Sequence, residues 1–534
     1  MAAHGLKPES PVGVKRAACA RCRSARDRLR SGFGFAGYDF DQVLTDRDRL
    51  RLEAILAATD REHLADLELD GIAIGRAALY EFLIERKKTT LALDEAEWEA
   101  FRPRLANALR SALAAIHILD AERPDRVVVY NSLYSVNAAW RLVAAQRGIP
   151  FYFIHGGLSL VDRLSYAVIG RDTTLDFWNR IIAAWPRYRE LPCNQRELDH
   201  VTDHFVQLFR GTSVFAYSAP KSASAVDVRA RFGARADQKL LVATMSSYDE
   251  YVAAAAVGGV PDPATLLFST QLGWVRALAE WAQVRPDVFL ILRVHPREFP
   301  NKREGLKSEH ANELERALVD LPGNVRVNWP SDALSIYDIA EQADVILNAW
   351  SSAGKEMTLL GLPVVTYCPT VIQYPTELNY VGTTREAYFA AIDRALADGW
   401  SFERTRLAYR WCVLEYLRGL VDLHDAVTMS EDLPRTPVER VRNLLLSPPI
   451  VRQHYDLRRR PRALVEQGRI RALVESGGET LLDVAQPERD EVTVVEETAL
   501  LRGQVRRLIA ALYPPDAPVP PGSLHARLAS VASD

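Results

Sequence analysis

Four groups of residues in this chain have the types and spacing for chemistry on an anion. Arg293-Val294-His295-Pro296 carries a guanidinium and an imidazole, both able to donate hydrogen bonds to phosphate oxygens. Ser351-Ser352-Ala353-Gly354 is small and polar, so its hydroxyls and backbone N–H groups can come close to a ligand. The residues after it read as a helix over 355–360 that stops at Gly361. A strand, a Ser-Ser-Gly turn and a helix start together predict a phosphate site made of free N–H groups and the positive end of a helix dipole. Glu356, in the first helical turn, is suited to accept from ribose hydroxyls, the usual role of an acid beside a bound nucleotide. Ser246 and Ser247 add hydroxyls for the same ligand, and Asp249 and Glu250 are suited to contact a sugar or act as a general base. His155, followed by two glycines, is the first candidate for that base. A ligand-free strand–turn–helix with a serine cap shares much of the Ser351–Glu356 pattern, and a structural role for His155 fits the same residues.

The elements that must carry these groups are short apolar runs alternating with helical patterns. Strands are predicted over 239–245, 288–293, 325–329, 344–349 and 363–367, with helices over 263–284 and 334–343. Each polar cluster of this half follows a strand directly, which is the layout of a doubly wound parallel sheet with its ligand edge at the carboxyl ends. In the first half, 126–130 and 151–154 read as strands joined by a helix, a βαβ unit ending at His155. Helical periodicity covers 41–119, whereas 158–238 reads as mixed and mostly helical. Beyond Thr383 the pattern is helical to about Asp425, and again over 451–475 and 490–512. Pro514–Pro521 then breaks it and predicts a mobile tail.

At 534 residues the chain is too long for one core, and two domains with appendages are expected. A hydrophobic content of 48% and a charged content of 25% are those of a soluble globular protein. The net charge of −3 gives no general attraction to nucleic acid. No apolar run reaches the roughly 18–20 residues of a membrane span, no signal-peptide core is present, and five scattered cysteines do not form a disulfide framework, so a cytoplasmic protein is expected. Cys19 and Cys22 form a lone CxxC without the further ligands of a zinc site. Asp46 and Asp48 form a DxD at a charged helix start, where acids favour the dipole without binding metal. Gly32–Gly37 is glycine-rich but follows no strand. The glycine fingerprint of dinucleotide sites and the P-loop pattern are both absent.

The pair RVHP (Arg293–Pro296) and NAWSSAGKEMTLLGLPVV (Asn348–Val365), at this separation, resembles the capsular polysaccharide biosynthesis proteins of the GT-B glycosyltransferase type. Related HP and SS motifs occur in bacterial sialyltransferases, Kdo transferases and CDP-glycerol glycerophosphotransferases. The resemblance spans about 120–425 and is most specific over 290–366; the N-terminal half has no counterpart of the sialyltransferase acidic-acidic-glycine motif. It implies two Rossmann-like domains facing across a cleft, donor on the second and acceptor on the first. It also implies that His295 and the serine pair hold the donor's phosphate, often that of a cytidine nucleotide. The expected layout is a basic, partly disordered segment over 1–40, an acceptor-side domain over 41–235 and a nucleotide-sugar domain over 236–382. Helices packing back across the cleft over 383–430 and a helical extension with a flexible tail over 431–534 complete it. The expected donor-binding set is Arg293, His295, Ser351, Ser352, Gly354, Glu356, Ser246 and Ser247, with His155, Asp249 or Glu250 as base. No metal and no cofactor is required if helix and side chains neutralise the phosphate. The expected partners are a nucleotide-sugar donor and a saccharide or lipid-linked acceptor, with Arg458–Arg462 suited to peripheral contact with the inner membrane. A phosphotransferase of the CDP-glycerol type, a nucleotide-sugar epimerase and a non-catalytic GT-B scaffold are the alternatives on the same fold.

Overall fold

The computed structural model describes residues 11–34, 37–213, 219–222, 224–301, 304–424, 438 and 461–533. Its N-terminal sheet begins with the expected βαβ unit, β1 (Val127–Tyr130), the helix Ser135–Gln146 and β2 (Phe151–Gly156), whose strands pair in parallel. A third strand, β3 (Tyr166–Arg171), then pairs antiparallel with β2.

The second sheet is made of β4 (Lys239–Thr244), β5 (Val288–Arg293), β6 (Val325–Asn328), β7 (Val345–Asn348), β8 (Val364–Thr366) and β9 (Tyr380–Val381). Their order is β6-β5-β4-β7-β8-β9, and every pair is parallel. The chain therefore runs outward from β4 on one side and returns to start again at β7 on the other. Ligand crevices form outside the strand carboxyl ends at such a reversal. The strands also end level: Thr244 pairs with both Arg293 and Asn348, and Arg293 pairs with Asn328. β4, β5 and β7 bury nearly every side chain, which is why they read as plain apolar runs.

The helix Phe402–Val413 loosens into a π turn, Leu414–Arg418, and leads into β10 (Leu420–Asp422). β10 pairs antiparallel with β3, so the N-terminal sheet, ordered β1-β2-β3-β10, is completed by a strand from the far end of the second domain. The architecture is the two-domain α/β arrangement of the GT-B type, with a smaller, mixed sheet on the N-terminal side. Neither β3 nor β10 follows from the helical reading of 158–238 and 383–425. β10 has too few residues to show a period of two.

Two further expectations are corrected, and the reading of Asp46 and Asp48 as acids at a helix start is kept. The segment 12–33 is a helix, Val12–Phe33, closed by Gly34 in the left-handed region, with Cys19 and Cys22 exposed on it. Asp48 is part of a capping box with Thr45 and receives His117 Nε2 at 2.8 Å, so the DxD is occupied in local structure. The C-terminal segment packs down instead of trailing: Tyr513 stacks on His525 and donates to Glu341 at 2.6 Å, while Leu524 and Leu528 are buried. The proline-rich break redirects the chain there without releasing it. Arg458–Arg460, part of the basic run Arg458–Arg462, lie outside the described residues. Among the described residues no helix is long and apolar enough to cross a membrane, and no group of three or more His, Cys, Asp or Glu side chains is placed to hold a metal ion.

Candidate functional site

A cavity of about 330 Å³ opens where the second sheet reverses. One wall carries Arg293, His295, Ser351, Ser352, Lys355 and Glu356; the facing wall carries Leu158, Leu160, Arg163, Trp178, His204 and Leu208 from the N-terminal half. Glu415 and Tyr416 of the π turn close the third side. The cavity is thus a cleft between the two halves, with three cationic side chains around it.

Arg293 ends β5 and is 9% exposed. Its Nη1 donates to Leu334 O at 2.9 Å and to the Asn328 side chain, both neutral acceptors. Burial lowers its pKa to about 10, so it remains charged at neutral pH. His295 is buried beside Arg297 and Arg293, and burial with these charges brings its pKa down to about 3. Its Nδ1 accepts from the Arg297 N–H at 3.3 Å, which assigns the ring proton of the neutral form to Nε2. A neutral imidazole with an Nε2–H is a donor suited to a phosphate oxygen.

The Ser-Ser-Gly turn is ordered from within. Asn348 Nδ2 donates to Ser351 O at 3.0 Å, and Ser351 Oγ accepts from the Ala353 N–H at 3.2 Å. Ser352 Oγ donates to Glu356 Oε1 at 3.0 Å, and Tyr337 donates to Glu356 Oε2 at 2.8 Å. Burial raises the Glu356 pKa, and both of its oxygens already serve the protein, so its expected ribose contact is not prepared in this geometry. A Cβ on Gly354 would collide with Asn348 and Tyr374, so the glycine is required for packing rather than for approach to a ligand. The helix-dipole expectation also needs correction. The helix Ala353–Leu359 has seven residues, and Ser352 already has helical angles (φ −56, ψ −23) and no capping bond. Attraction for an anion therefore falls mainly to Arg163, Arg293 and Lys355.

The other candidates lie elsewhere. Asp249 is buried against Arg297, whose Nη1 donates to it at 2.5 Å and to Ser247 Oγ at 2.7 Å. Ser247 in turn donates to Asp249 at 3.0 Å. Glu250 reaches Arg297 at 3.4 Å with its side chain 49% exposed. Lys87, at the end of the helix Ile74–Arg86, donates to Leu306 O at 2.8 Å and to Arg297 O, and pairs with Glu304 at 3.1 Å. These groups clamp the loop after His295 against the N-terminal helices. Ser246 is taken up by Gln271, at 2.7 Å from its N–H, and by the Trp350 N–H, at 3.2 Å from its Oγ. None of Ser246, Ser247, Asp249 and Glu250 lines the cavity.

His155 stacks on Tyr130, with ring centroids 5.6 Å apart, and its Nδ1 lies 3.1 Å from Gly156 O. Burial lowers its pKa, and the charge of Arg163 lowers it further. It stands at the end of β2 outside the cavity lining. Sequence reasoning missed Arg163, His204 and Lys355. Lys355 sat inside the motif but looked like an ordinary helix charge, and Arg163 and His204 lie in the stretch that could not be ordered.

The fold is similar to several solved structures. The KpsC β-Kdo 2,4-transferase of Thermosulfurimonas dismutans matches at 15% identity over 54% of this chain and 79% of that one, with a TM-score of 0.32. The UDP-GlcNAc 2-epimerase of Methanocaldococcus jannaschii, in complex with UDP-GlcNAc and UDP, matches at 17% identity over 57% and 79%, with a TM-score of 0.26. The glycosyltransferase SnogD of Streptomyces nogalater matches at 14% identity over 58% and 75%, with a TM-score of 0.23. No protein-family model matches the chain, and no curated protein does. Likeness at this distance says nothing of activity, and the fold is read from the strand order described above.

Proposed function

We propose that this chain is a glycosyltransferase that moves a sugar from a nucleotide-sugar donor to a hydroxyl of a saccharide or lipid-linked acceptor. The observation that carries this reading is the convergence of Arg293, His295, Ser351, Ser352 and Lys355 on one cavity at the sheet's reversal, faced by an N-terminal wall. An acceptor hydroxyl attacks the donor's glycosidic carbon, and the bond to the phosphate oxygen breaks. The charge that grows on the leaving phosphate is met by the Arg293 guanidinium and the His295 Nε2–H. Donors fixed in place before the reaction are usually the largest catalytic contribution. The side chains supply this stabilisation by themselves, without a resident metal or cofactor in the scheme.

In this scheme His155, outside the cavity lining at the acceptor-side strand end, takes the hydroxyl proton of an acceptor seated between it and the cavity. Its lowered pKa keeps the ring neutral and able to accept at pH 7, and it stands on the acceptor-side strand end. His155→Ala then lowers kcat by about 10²–10⁴-fold with donor affinity retained. Loss of nucleotide affinity, or full turnover, assigns the base elsewhere.

The reading is tested by product analysis with radiolabelled CMP-, CDP-, UDP- and GDP-sugars and glycan acceptors. Transfer that His295→Ala slows while weakening nucleotide binding by about 1.5–3 kcal/mol supports it. Epimerised nucleotide sugar, glycerol-phosphate transfer, or tight nucleotide binding with no product on any acceptor would each replace it.

A further inference from the structure

Lys355 is a cation of this cavity to which the motif reading gives no role. Its ammonium lies 2.7 and 2.5 Å from the two oxygens of Glu415, and 4.9 Å from the ring centroid of Tyr416. Lys355 is 8% exposed and Glu415 6%. Such a pair is a weak stabilising device, because removing two charges from water costs about as much as their attraction returns. It also stands at the wall of a cavity instead of within the core. An ammonium has three N–H donors, and the two carboxylate oxygens engage two of them. One donor is left for the cavity that Lys355 lines.

The partner is held by an unusual piece of backbone. Glu415 and Tyr416 lie in the π turn Leu414–Arg418, where the helix widens before the chain crosses back to β10. Turns of this kind re-aim side chains and recur at functional sites. Tyr416 also stacks on His204 of the N-terminal half, with ring centroids 4.5 Å apart. The His204 Nδ1 accepts from the Leu160 N–H at 2.9 Å, so the stack is anchored on both sides of the cleft.

We propose that Lys355 is a phosphate-binding residue of the donor site, and that Glu415 is its positioning residue, held by the π turn of the crossing segment. The inference rests on the nucleotide-sugar reading of the cavity. Arg293 and His295 approach from the end of β5, and Lys355 from the helix after β7, so a phosphate between them is gripped from both sides of the reversal. Glu415 stays paired throughout, which holds the ammonium in place.

The test is calorimetric titration of the full chain with CMP and UDP, and with cytidine and uridine as phosphate-free probes. The variant Lys355→Met with Glu415→Gln removes both charges, so neither is left buried alone. It is expected to melt like the parent, to bind the nucleotide about 10- to 100-fold more weakly, and to keep its nucleoside affinity. Lys355→Arg, which keeps the charge, is expected to retain most of the nucleotide affinity. A second measurement uses the unmodified chain: CMP or UDP is expected to protect Lys355 from amine acylation, with the exposed Lys239 as internal reference. Unchanged nucleotide affinity in the double variant, or absence of protection, overturns the inference; where His295→Ala still loses affinity, the donor reading stands without it. If neither CMP nor UDP binds, or His295→Ala binds normally, the donor reading falls as well.

Discussion

Arg293 and Arg297 stand at the two ends of one short loop, and their surroundings are opposite. Arg297 is held by Asp249 at 2.5 Å, with Glu250 at 3.4 Å and Glu304 at 3.3 Å, and these carboxylates raise its pKa. Arg293 is also buried but bonds only to an amide oxygen and a carbonyl, and burial lowers its pKa. One charge is answered inside the protein. The other is hydrogen-bonded to dipoles alone, with the carboxylates of Asp338, Glu356 and Asp332 acting on it without bonding, and it faces a cavity. The difference separates a clamp from a binding site more cleanly than either residue's position after β5 does. Arg297, with three carboxylates around it, has its hydrogen bonds satisfied inside the protein, whereas Arg293 has no carboxylate bonded to it.

Substitutions can break this contrast in order of expected effect. Asp249→Ala strands Arg297 and is expected to cost about 3–5 kcal/mol in denaturant unfolding, with nucleotide affinity of the folded protein retained. A milder loss would mean that Glu304 and Glu250 suffice. Arg293→Met is expected to do the reverse. Nucleotide affinity drops by about 2–3 kcal/mol, whereas stability changes by no more than about 1 kcal/mol, because a costly buried charge goes with the two bonds. Large destabilisation with intact binding would make Arg293 a second clamp.

The clamp also has a pH signature. Glu298, buried next to Asp249 and bonded to Tyr248 N–H at 3.0 Å and to Ser308, has its pKa raised by burial to about 7. The folded state therefore holds a proton that the unfolded chain releases near pH 4.5. Its contribution is full below that value and is lost as pH rises through about 7. Unfolding free energy at pH 5 minus that at pH 8 should shrink by about 2 kcal/mol in Glu298→Gln relative to the parent, and an unchanged difference would show that Glu298 is ionised throughout. The smallest effect is expected from Ser351→Ala with Ser352→Ala. Nucleotide affinity falls by about 1–1.5 kcal/mol, and the melting temperature moves only by the lost bonds to Ala353 and Glu356.

How much of this was legible in the sequence follows from the same contrast. The second sheet was readable because strands buried on both faces are unbroken apolar runs, and the polar residue that ends each run marks the ligand edge. That brought Arg293, His295, Ser351, Ser352 and Glu356 to one cavity. The same rule also selected Asp249 and Ser247, which follow β4 in the same way. Position at a strand end does not reveal that Arg297 turns toward them and takes them out of play. Arg163 and Lys355 were unreadable for a related reason: a lone cation shows nothing of the cavity it will line until distant segments are folded around it. β3 was missed because its outer partner, β10, lies at the other end of the second domain.

That partnership bears on how the chain comes off the ribosome. Translation delivers β1, β2 and β3 first, yet β3 keeps an unpaired edge until residue 422 has emerged, and the bridge from Gly170 to Thr480 waits longer still. An exposed strand edge is a template for wrong pairing. The N-terminal half is therefore the part of the nascent protein most in need of chaperone cover, and a fragment ending near 235 should aggregate where one would naively expect an isolated domain. Expressed together, a fragment ending near 235 and one beginning there should rescue each other's solubility through β10.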